Sequence, residues 1–335
     1  MIIAKKSIFV SICILFFSSI IVTVEAESFQ QKLPIQLSTD HSFGFLYGQA
    51  EEIVYRHENQ DTYLSQLLWD IKPLMYLGLK ADIDISLVQD WTLFFSTNGK
   101  FAIPMLTGHM EDRDWMAQDN ELSHFSKSNT KIQSAVLLDA SFGSSYTLNI
   151  TDQHSLRFSL MGTVSIMNYS WRGFGGYYQY ASGNSPWDSS LEKKYWKNEE
   201  TVIDYSQNWV VMSPGIKIDY DFLKQFTLSI GFNISPSIKL TAVDNHVKTG
   251  VTWTDSPTGG LFTDTRFTFK WQALTNMNLQ FNASYRNISG SRGNDSADAG
   301  SNIIEGPPDG HTDYGNISGA GYQAWDFSLG VGFFW

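Results

Sequence analysis

The chain has 335 residues, a formal net charge of −11 at pH 7 and aromatic side chains at 15% of its positions. This negative balance argues against a nucleic-acid-binding protein, which needs a basic face to replace the counterions on phosphate, and it suits a cationic partner better. Length and composition leave open two soluble domains or one large β domain.

The first residues predict a secretory signal peptide. Lys5 and Lys6 precede an apolar run over 7–24, and Ala26 follows it in a small-residue cleavage pattern. We expect cleavage after Ala26, so that 1–26 is removed. The alternative is an uncleaved membrane anchor, because the run approaches the roughly 18 residues of a spanning helix.

The expected mature chain, 27–335, contains no thiol, because the single cysteine is Cys13 inside the signal. Disulfides and cysteine-based catalysis are therefore not expected. No apolar run in this part is long enough to cross a bilayer as a helix, although its aromatic content is high. Apolar side chains must be arranged in another secondary structure.

An alternation of apolar with polar or small residues, the period of a β-strand, recurs along the mature chain. It is strictest at the end, where every second residue from Trp325 to Trp335 is apolar. Two further alternating runs, 267–273 and 277–285, are separated by a short turn and predict a hairpin. The sequence predicts about ten strands, near 33–55, 62–80, 83–106, 131–149, 154–180, 203–220, 225–246, 263–275, 277–290 and 323–335.

The predicted connections alternate between short and long. Tight turns are expected near 81, 151, 223 and 276, and long polar loops near 56–61, 107–130, 181–202, 247–262 and 291–322. This alternation is typical of an antiparallel transmembrane β-barrel, with short periplasmic turns and long extracellular loops. We therefore predict an all-β barrel as one domain over 27–335. A soluble β-sandwich is the alternative, but it does not require an aromatic outer face on its last strand.

Two acidic pairs are candidates for a role in chemistry. Asp82 and Asp84 alternate with apolar residues at the start of a predicted strand, so they are expected to face the lumen without a role. Asp112 and Asp114 are expected at the outer mouth of the barrel, where two close carboxylates raise the pKa of one of them. Arg113 between them is expected only to ease this repulsion. A solvated loop is the plain alternative reading of this pair.

The surroundings of Asp112 do not predict a metal site. A calcium loop needs a third oxygen ligand and a glycine at fixed spacings, and Met116 and Ala117 stand there instead. Zinc would find His109 and Asp112 but no further ligand close in sequence. The sequence predicts no metal and no other cofactor.

Asp244 and His246 are separated by two positions near the outer end of a predicted strand. Residues at this spacing share a face, so the carboxylate can orient the imidazole and favour its protonated form. Such a pair can supply a general base for hydrolysis. If the alternation of 226–234 continued unbroken, both side chains would face lipid at high cost. We therefore predict a break in register near Pro236, with a strand that rises clear of the membrane there as the alternative.

The two motifs together resemble the omptin family of outer-membrane endopeptidases, and the resemblance covers nearly the whole mature chain. Each motif is short, but their order and spacing on a ten-strand pattern are specific. The matching segments are Met110-x-Asp112-x-Asp114-Trp115-Met116, Asp244-x-His246, Glu52-x-Val54-Tyr55, Ser65-Gln66-Leu67-x-Trp69, Tyr169-Ser170-Trp171, Gly175-Gly176 and the aromatic C-terminus.

The resemblance implies a barrel that extends above the outer membrane, with an acidic cleft open to the extracellular side. Water is the nucleophile in such a site. His246 would act as general base, Asp244 would orient it, and Asp112 with Asp114 would position the water and the tetrahedral intermediate.

The family cleaves between basic residues, so polypeptide substrates with cationic side chains are the implied partners. The matching pocket for the first basic residue contains Glu52, Met110 and Ile203. Two family carboxylates are missing, since Ala242 and Asn120 stand at the corresponding positions. The preference for Lys or Arg before the scissile bond is therefore expected to be weakened.

A second departure concerns lipopolysaccharide, which the family binds on the outer wall of the barrel and requires for activity. The corresponding positions carry Ile166, Asn168 and Asn208, none of them a cation. The sequence therefore argues against dependence on this lipid, although an outer-membrane lipid contact remains expected. A class alternative is a barrel that acts as an adhesin or receptor, in which the acids and histidine are incidental.

Overall fold

The computed structural model describes residues 35–57, 61–88, 90–299 and 310–335, so the predicted signal peptide lies outside the described residues. Within them, no helix is long and apolar enough to cross a bilayer. A single 3-10 turn, Gln118–Asn120, accompanies the strands. The strands are β1 (Ile35–Tyr55), β2 (Tyr63–Val88), β3 (Trp91–Ala102), β4 (Met105–Asp114), β5 (His124–Thr151), β6 (His154–Tyr180), β7 (Lys194–Tyr195), β8 (Thr201–Phe222), β9 (Phe226–Ser235), β10 (Ile238–His246), β11 (Val251–Thr258), β12 (Leu261–Leu274), β13 (Met277–Ala299) and β14 (Gly310–Phe334).

The strands form one antiparallel sheet that closes on itself, because β14 pairs with both β13 and β1. Three ring positions are each filled by two consecutive strands, namely β3 with β4, β9 with β10, and β11 with β12. The short β7 pairs only with β6, outside the ring. Counting each interrupted position once gives a ring of ten strands. The prediction of an all-β antiparallel barrel with about ten strands is confirmed.

The lower part of the barrel is apolar on its outer face and polar within. Leu160, Met212 and Leu329 keep 68%, 69% and 68% of their surface exposed, whereas Asp139 and Asp219 are buried inside. This is the reverse of a soluble protein, and it follows from the period of two when one face meets hydrocarbon. The exposed apolar belt marks the part of the barrel that lies in the membrane.

The strands continue well beyond this belt. On β5 the outward residues change from Val136 and Leu138 to Asn129 and Lys131, while Ser128 and its neighbours stay buried inside. Both faces of the strand are therefore polar above the membrane. The structure extends the barrel above the outer membrane, as predicted.

Polarity on both faces explains why several connections were predicted wrongly. Residues 107–130 were expected to form a loop, but they contain the end of β4 and the start of β5. The loops expected over 247–262 and 291–322 likewise contain β11 and parts of β12, β13 and β14. The alternation of apolar and polar residues is lost there, but the ladder of backbone hydrogen bonds continues. The turn expected near 81 is also wrong, because β2 runs on to Val88.

The predicted break near Pro236 is present. Along β9 the even-numbered residues face outward, with Ile234 41% exposed. Pro236 and the next residue separate β9 from β10, and on β10 the even-numbered residues Ile238 and Ala242 are buried instead. The interruption moves Asp244 from the outer face to the interior.

A layer of aromatic side chains fills the interior just above the belt. Trp69 stacks on Tyr205 at 5.0 Å between ring centroids, and Tyr169 stacks on Trp171 at 5.1 Å. The Tyr169 hydroxyl lies 2.7 Å from that of Tyr322 across the barrel. This aromatic floor separates the lower lumen from the space that the upper strands enclose.

Candidate active site

Strand β4 directs Asp112 and Asp114 toward the interior. Both share a face with Met110, which is 1% exposed and lies opposite Trp69 on β2. The expectation that this pair stands in a loop is wrong, because both residues are held in ladders with β2 and β5. A strand fixes their separation and direction far more tightly than a loop does.

The residues between the two acids point the other way. The Arg113 guanidinium lies 2.6 Å from the Glu111 carboxylate, and Lys127 pairs with the same carboxylate at 3.0 Å. Arg113 therefore belongs to an ion-pair group on the opposite face and does not ease the repulsion between Asp112 and Asp114. His109 also alternates out of phase with Asp112, so these two side chains do not converge on one ion.

Neighbouring strands supply hydroxyl groups to the acid pair. Ser126 on β5 donates to Asp112 at 3.4 Å, and Ser65 on β2 is the cross-strand partner of Asp114. Burial and the neighbouring Asp114 raise the pKa of Asp112 well above its usual range. Burial likewise raises the pKa of Asp114, against the lowering effect of Ser65 and nearby His124. The pair therefore retains a proton at a pH where exposed carboxyls are ionised.

On the other wall, β10 presents the predicted Asp–His pair. Asp244 is 1% exposed, and its Oδ2 lies 2.7 Å from His246 Nε2. Burial opposes the charge on the imidazole, but the carboxylates of Asp244, Asp112 and Asp114 outweigh it and raise the pKa of His246 to about 9. In the neutral ring, a proton on Nε2 donated to Asp244 leaves Nδ1 as the acceptor.

The two pairs share one cleft. Strands β4 and β10 lie on different sides of the ring, with β5, β6 and β8 between them along the shorter path. The charges of Asp112 and Asp114 both act on His246, and His246 in turn lowers the pKa of each acid. Such coupling requires short distances through a poorly solvated space. The sequence-predicted pairs therefore come together above the aromatic floor.

The three predicted substrate-binding residues also border this cleft. Ile203 on β8 is the cross-strand neighbour of His246 and is 3% exposed. Glu52 on β1 is buried, and the charges of Asp244 and Asp112 act on it. Met110 precedes the acid pair on β4. The structure thus brings together all seven predicted site residues, from strands β1, β4, β8 and β10.

Two further carboxylates near this cleft were missed. Asp255 on β11 lies directly opposite Ala242, and Asp295 on β13 lies directly opposite Asp255. Both fell in segments predicted to be loops, where an acid carries little information. The structure shows a strand around Asp255, but the sequence there lacks the alternation of apolar and polar residues that would have predicted it. Asn120, in contrast, is exposed in the 3-10 turn.

Among the described residues, no group of three or more histidine, cysteine or acidic side chains has the arrangement of a metal site.

The family model described as the Omptin family matches residues 33–335. The crystal structure of the outer membrane protease OmpT from Escherichia coli is similar, with a TM-score of 0.74 and 20% sequence identity over 93% of this chain and 99% of that one. The P. putida toluene transporter TodX gives a TM-score of 0.30 and 9% identity over 90% of each chain, a level that supports no argument. No curated protein sequence matches the chain. The match over 33–335 shows that the chain belongs to the omptin family of outer-membrane proteases.

Proposed function

We propose that the protein is an outer-membrane endopeptidase that hydrolyses peptide bonds with a water molecule held between two walls of the cleft. The observation that carries this proposal is the hydrogen-bonded Asp244–His246 pair facing Asp112 and Asp114. Three carboxyl groups and one imidazole converge in the cleft from strands β4 and β10. A barrel that serves only as an adhesin or receptor has no need of this coupling between buried charges.

His246 acts as the general base in this proposal. Nδ1 takes a proton from water while Nε2 stays bound to Asp244, so the imidazolium that forms is stabilised by a buried carboxylate. The pKa of about 9 means that the base is strong but mostly protonated at neutral pH. A cationic group of the substrate near Asp244 would lower this pKa and release the base for reaction.

Asp112 and Asp114 hold the water and stabilise the intermediate. Because their pKa values are raised, one of the two carries a proton and donates a hydrogen bond to the carbonyl oxygen as it becomes negative. The other accepts a hydrogen bond from the attacking water. Ser126 and Ser65 keep the two carboxyls in place.

The reaction closes without a covalent enzyme intermediate. The water oxygen forms a bond to the carbonyl carbon and its proton passes to His246. The C–N bond then breaks as the imidazolium returns that proton to the leaving amine. The products are a carboxylic acid and an amine, which become carboxylate and ammonium by proton exchange in water, and the cleft returns to its starting protonation. We therefore propose an aspartic-type endopeptidase, in which Asp112 and Asp114 hold the attacking water and His246 takes its proton.

Cationic substrates suit the site. Glu52, Asp112, Asp114 and Asp244 give the cleft an excess of negative charge, and a Lys or Arg side chain beside the scissile bond would offset it. The negative charge of the whole chain also speeds the approach of cationic polypeptides at low ionic strength.

Hydrolysis of a fluorogenic Arg-Arg or Arg-Lys peptide by the refolded full chain tests the proposal. We expect cleavage by the wild type and a loss of about 10²–10⁴-fold in kcat/KM for His246→Ala, the range for a general base. If wild type and variant are equally inert from pH 5 to 8, with lipopolysaccharide present, the proposed function is wrong.

His311→Ala is the matched control. His311 hydrogen-bonds Asp298 at 2.8 Å and Asp313 at 3.1 Å, but all three side chains are more than half exposed. Activity within about twofold of wild type is expected, because exposed surface substitutions rarely change stability.

A further inference from the structure

Three buried carboxylates beside the cleft take no part in the proton transfers of the proposed hydrolysis, and two of them, Asp255 and Asp295, have no role in it at all. Glu52, Asp255 and Asp295 are 3%, 2% and 3% exposed and belong to β1, β11 and β13. Carboxylates are rarely buried unless a cation or several hydrogen bonds compensate them. Three together in one interior therefore call for an explanation.

These acids adjoin the catalytic walls. Asp255 lies opposite Ala242, which precedes Asp244 by two positions on the same face of β10, and Asp295 lies directly opposite Asp255. Glu52 pairs across β1 and β2 with Leu67, which is itself opposite Asp112. The three acids thus stand next to both catalytic pairs and not in a separate part of the barrel.

Their oxygens are incompletely satisfied. Glu52 Oε2, Asp255 Oδ2 and Asp295 Oδ1 are buried without a hydrogen-bond partner in the described part of the chain. No ion pair formed among the described residues reaches any of the three acids, although several other interior acids have one. Burial and the charge of Asp244 raise the pKa of all three. Within the described residues, no Lys or Arg side chain compensates these three carboxyl groups.

The surroundings indicate what kind of cation would fit. The Tyr205 ring is close enough to Glu52 and Asp255 for their charges to raise the pKa of its hydroxyl, and it stacks on Trp69 in the aromatic floor. Apolar Met110 completes this side. A long aliphatic stem with a charged end matches aromatic and apolar walls above a carboxylate base. Lysine and arginine side chains have this form.

We propose that Asp255 and Asp295 supply, beside Glu52, the missing carboxylates at the base of the pocket that the resemblance assigns to the lysine or arginine side chain of a substrate. The inference rests on the proposed function insofar as the ligand is a polypeptide. Asp255 stands across the ladder from Ala242, so the carboxylate that this position lacks is supplied from the neighbouring strand. The expectation of a weakened basic preference, which Ala242 suggested, is replaced by a preference carried by different residues.

Binding of an arginine peptide and of its citrulline isostere tests this pocket without turnover. Both peptides are titrated into the refolded full chain carrying His246→Ala, because citrulline keeps the shape of arginine but removes its charge. We expect arginine to bind about 10- to 100-fold more tightly, the range for a charge-assisted hydrogen bond. With Asp255→Asn and Asp295→Asn added, we expect the ratio to fall below about threefold.

The control is Asp298→Asn, which removes an exposed charge from the same strand as Asp295 and should leave the ratio unchanged. Asp255→Glu with Asp295→Glu keeps the charges and should restore part of the preference if the amide variants fold poorly. An unchanged ratio in folded amide variants would overturn the proposal, since the acids would then be a structural pair sharing a proton. Failure of hydrolysis by the wild type would contradict the proposed function but not this pocket.

Discussion

Two groups of buried acids lie inside the same barrel, one within the membrane belt and one above the aromatic floor, and they are compensated differently. In the lower group, Arg286 lies 3.0 Å from Asp139 and 2.8 Å from Asp264, and Arg266 reaches the same two acids. Ser165 donates a further hydrogen bond to Asp139 at 2.6 Å. One oxygen of Asp264 stays unpaired, but two guanidinium groups balance two carboxylates.

The upper group has the opposite character. Within the described residues, Glu52, Asp255 and Asp295 form no ion pair with Lys or Arg, and His246 is shared among Asp244, Asp112 and Asp114. A neutralised group inside a membrane belt stabilises the barrel, whereas an uncompensated one above it costs stability unless a ligand supplies the charge. We infer that the lower group has a structural role and that the upper group serves the proposed function.

The largest effect is expected from breaking the lower group with Arg286→Met. Asp139 and Asp264 would then share Arg266 alone, and the loss of one partner from a buried network costs about 3–5 kcal/mol of unfolding free energy. Urea unfolding of the barrel in lipid vesicles, followed by tryptophan fluorescence, measures this. Lys248→Met, which breaks only the surface pair with Glu200, should cost far less than Arg286→Met. Equal losses of unfolding free energy in both variants would contradict the claim that the lower group stabilises the barrel.

The pH dependence of catalysis should show that the upper group titrates. If neutral His246 is the base, its pKa of about 9 predicts that kcat/KM rises about fiftyfold between pH 7 and pH 9 for a substrate without charged side chains near the cleft. A cationic substrate should shift the profile to lower pH, because its charge lowers this pKa. An optimum below pH 7 for both substrates would reassign the base to a carboxylate.

Stability should respond to Asp255→Asn and Asp139→Asn in opposite directions. The folded-state pKa of Asp255 is raised above its unfolded value, so its contribution to stability is full at low pH and is lost as pH rises through the folded pKa. At pH 8 the neutral amide should therefore stabilise the empty barrel. Asp139→Asn removes a compensated charge and should destabilise it. The same urea experiment at pH 8 measures the change in unfolding free energy for each variant. If both variants are destabilised, the upper and lower acids do not differ in the way described.

The smallest effect is expected from lipopolysaccharide. Ile166 is exposed on the outer wall, and the side-chain amides of Asn168 and Asn208 are hydrogen-bonded to each other there. Without a cation at these positions, a phosphate group finds no charge-assisted contact. We expect activity of the refolded protein to change less than about twofold when the lipid is added, compared with uncharged detergent alone. A tenfold stimulation would show that other residues bind it.

Much of the barrel could be predicted from the sequence where one face meets hydrocarbon. The C-terminal strand around Trp325 and the hairpin of β12 and β13 follow from a strict alternation of apolar and polar residues. The change of face at Pro236 could also be predicted, since a charged Asp244 cannot face lipid. Above the membrane, β4 and the outer part of β5 carry polar residues on both faces, and the alternation that marks a strand disappears.

For the cleft, the sequence determined which residues could act as acid and base, because Asp112, Asp114, Asp244 and His246 stand at strand spacing in two short motifs. Their meeting depended on the tertiary structure, since it requires closure of the ring. Asp255 and Asp295 show the limit most clearly. They are 40 positions apart in the chain and lie in polar segments, yet the pairing of β11 with β10 and β13 brings them under Asp244 and His246. Only the register between strands, set by backbone hydrogen bonds around the closed barrel, determines such a neighbourhood.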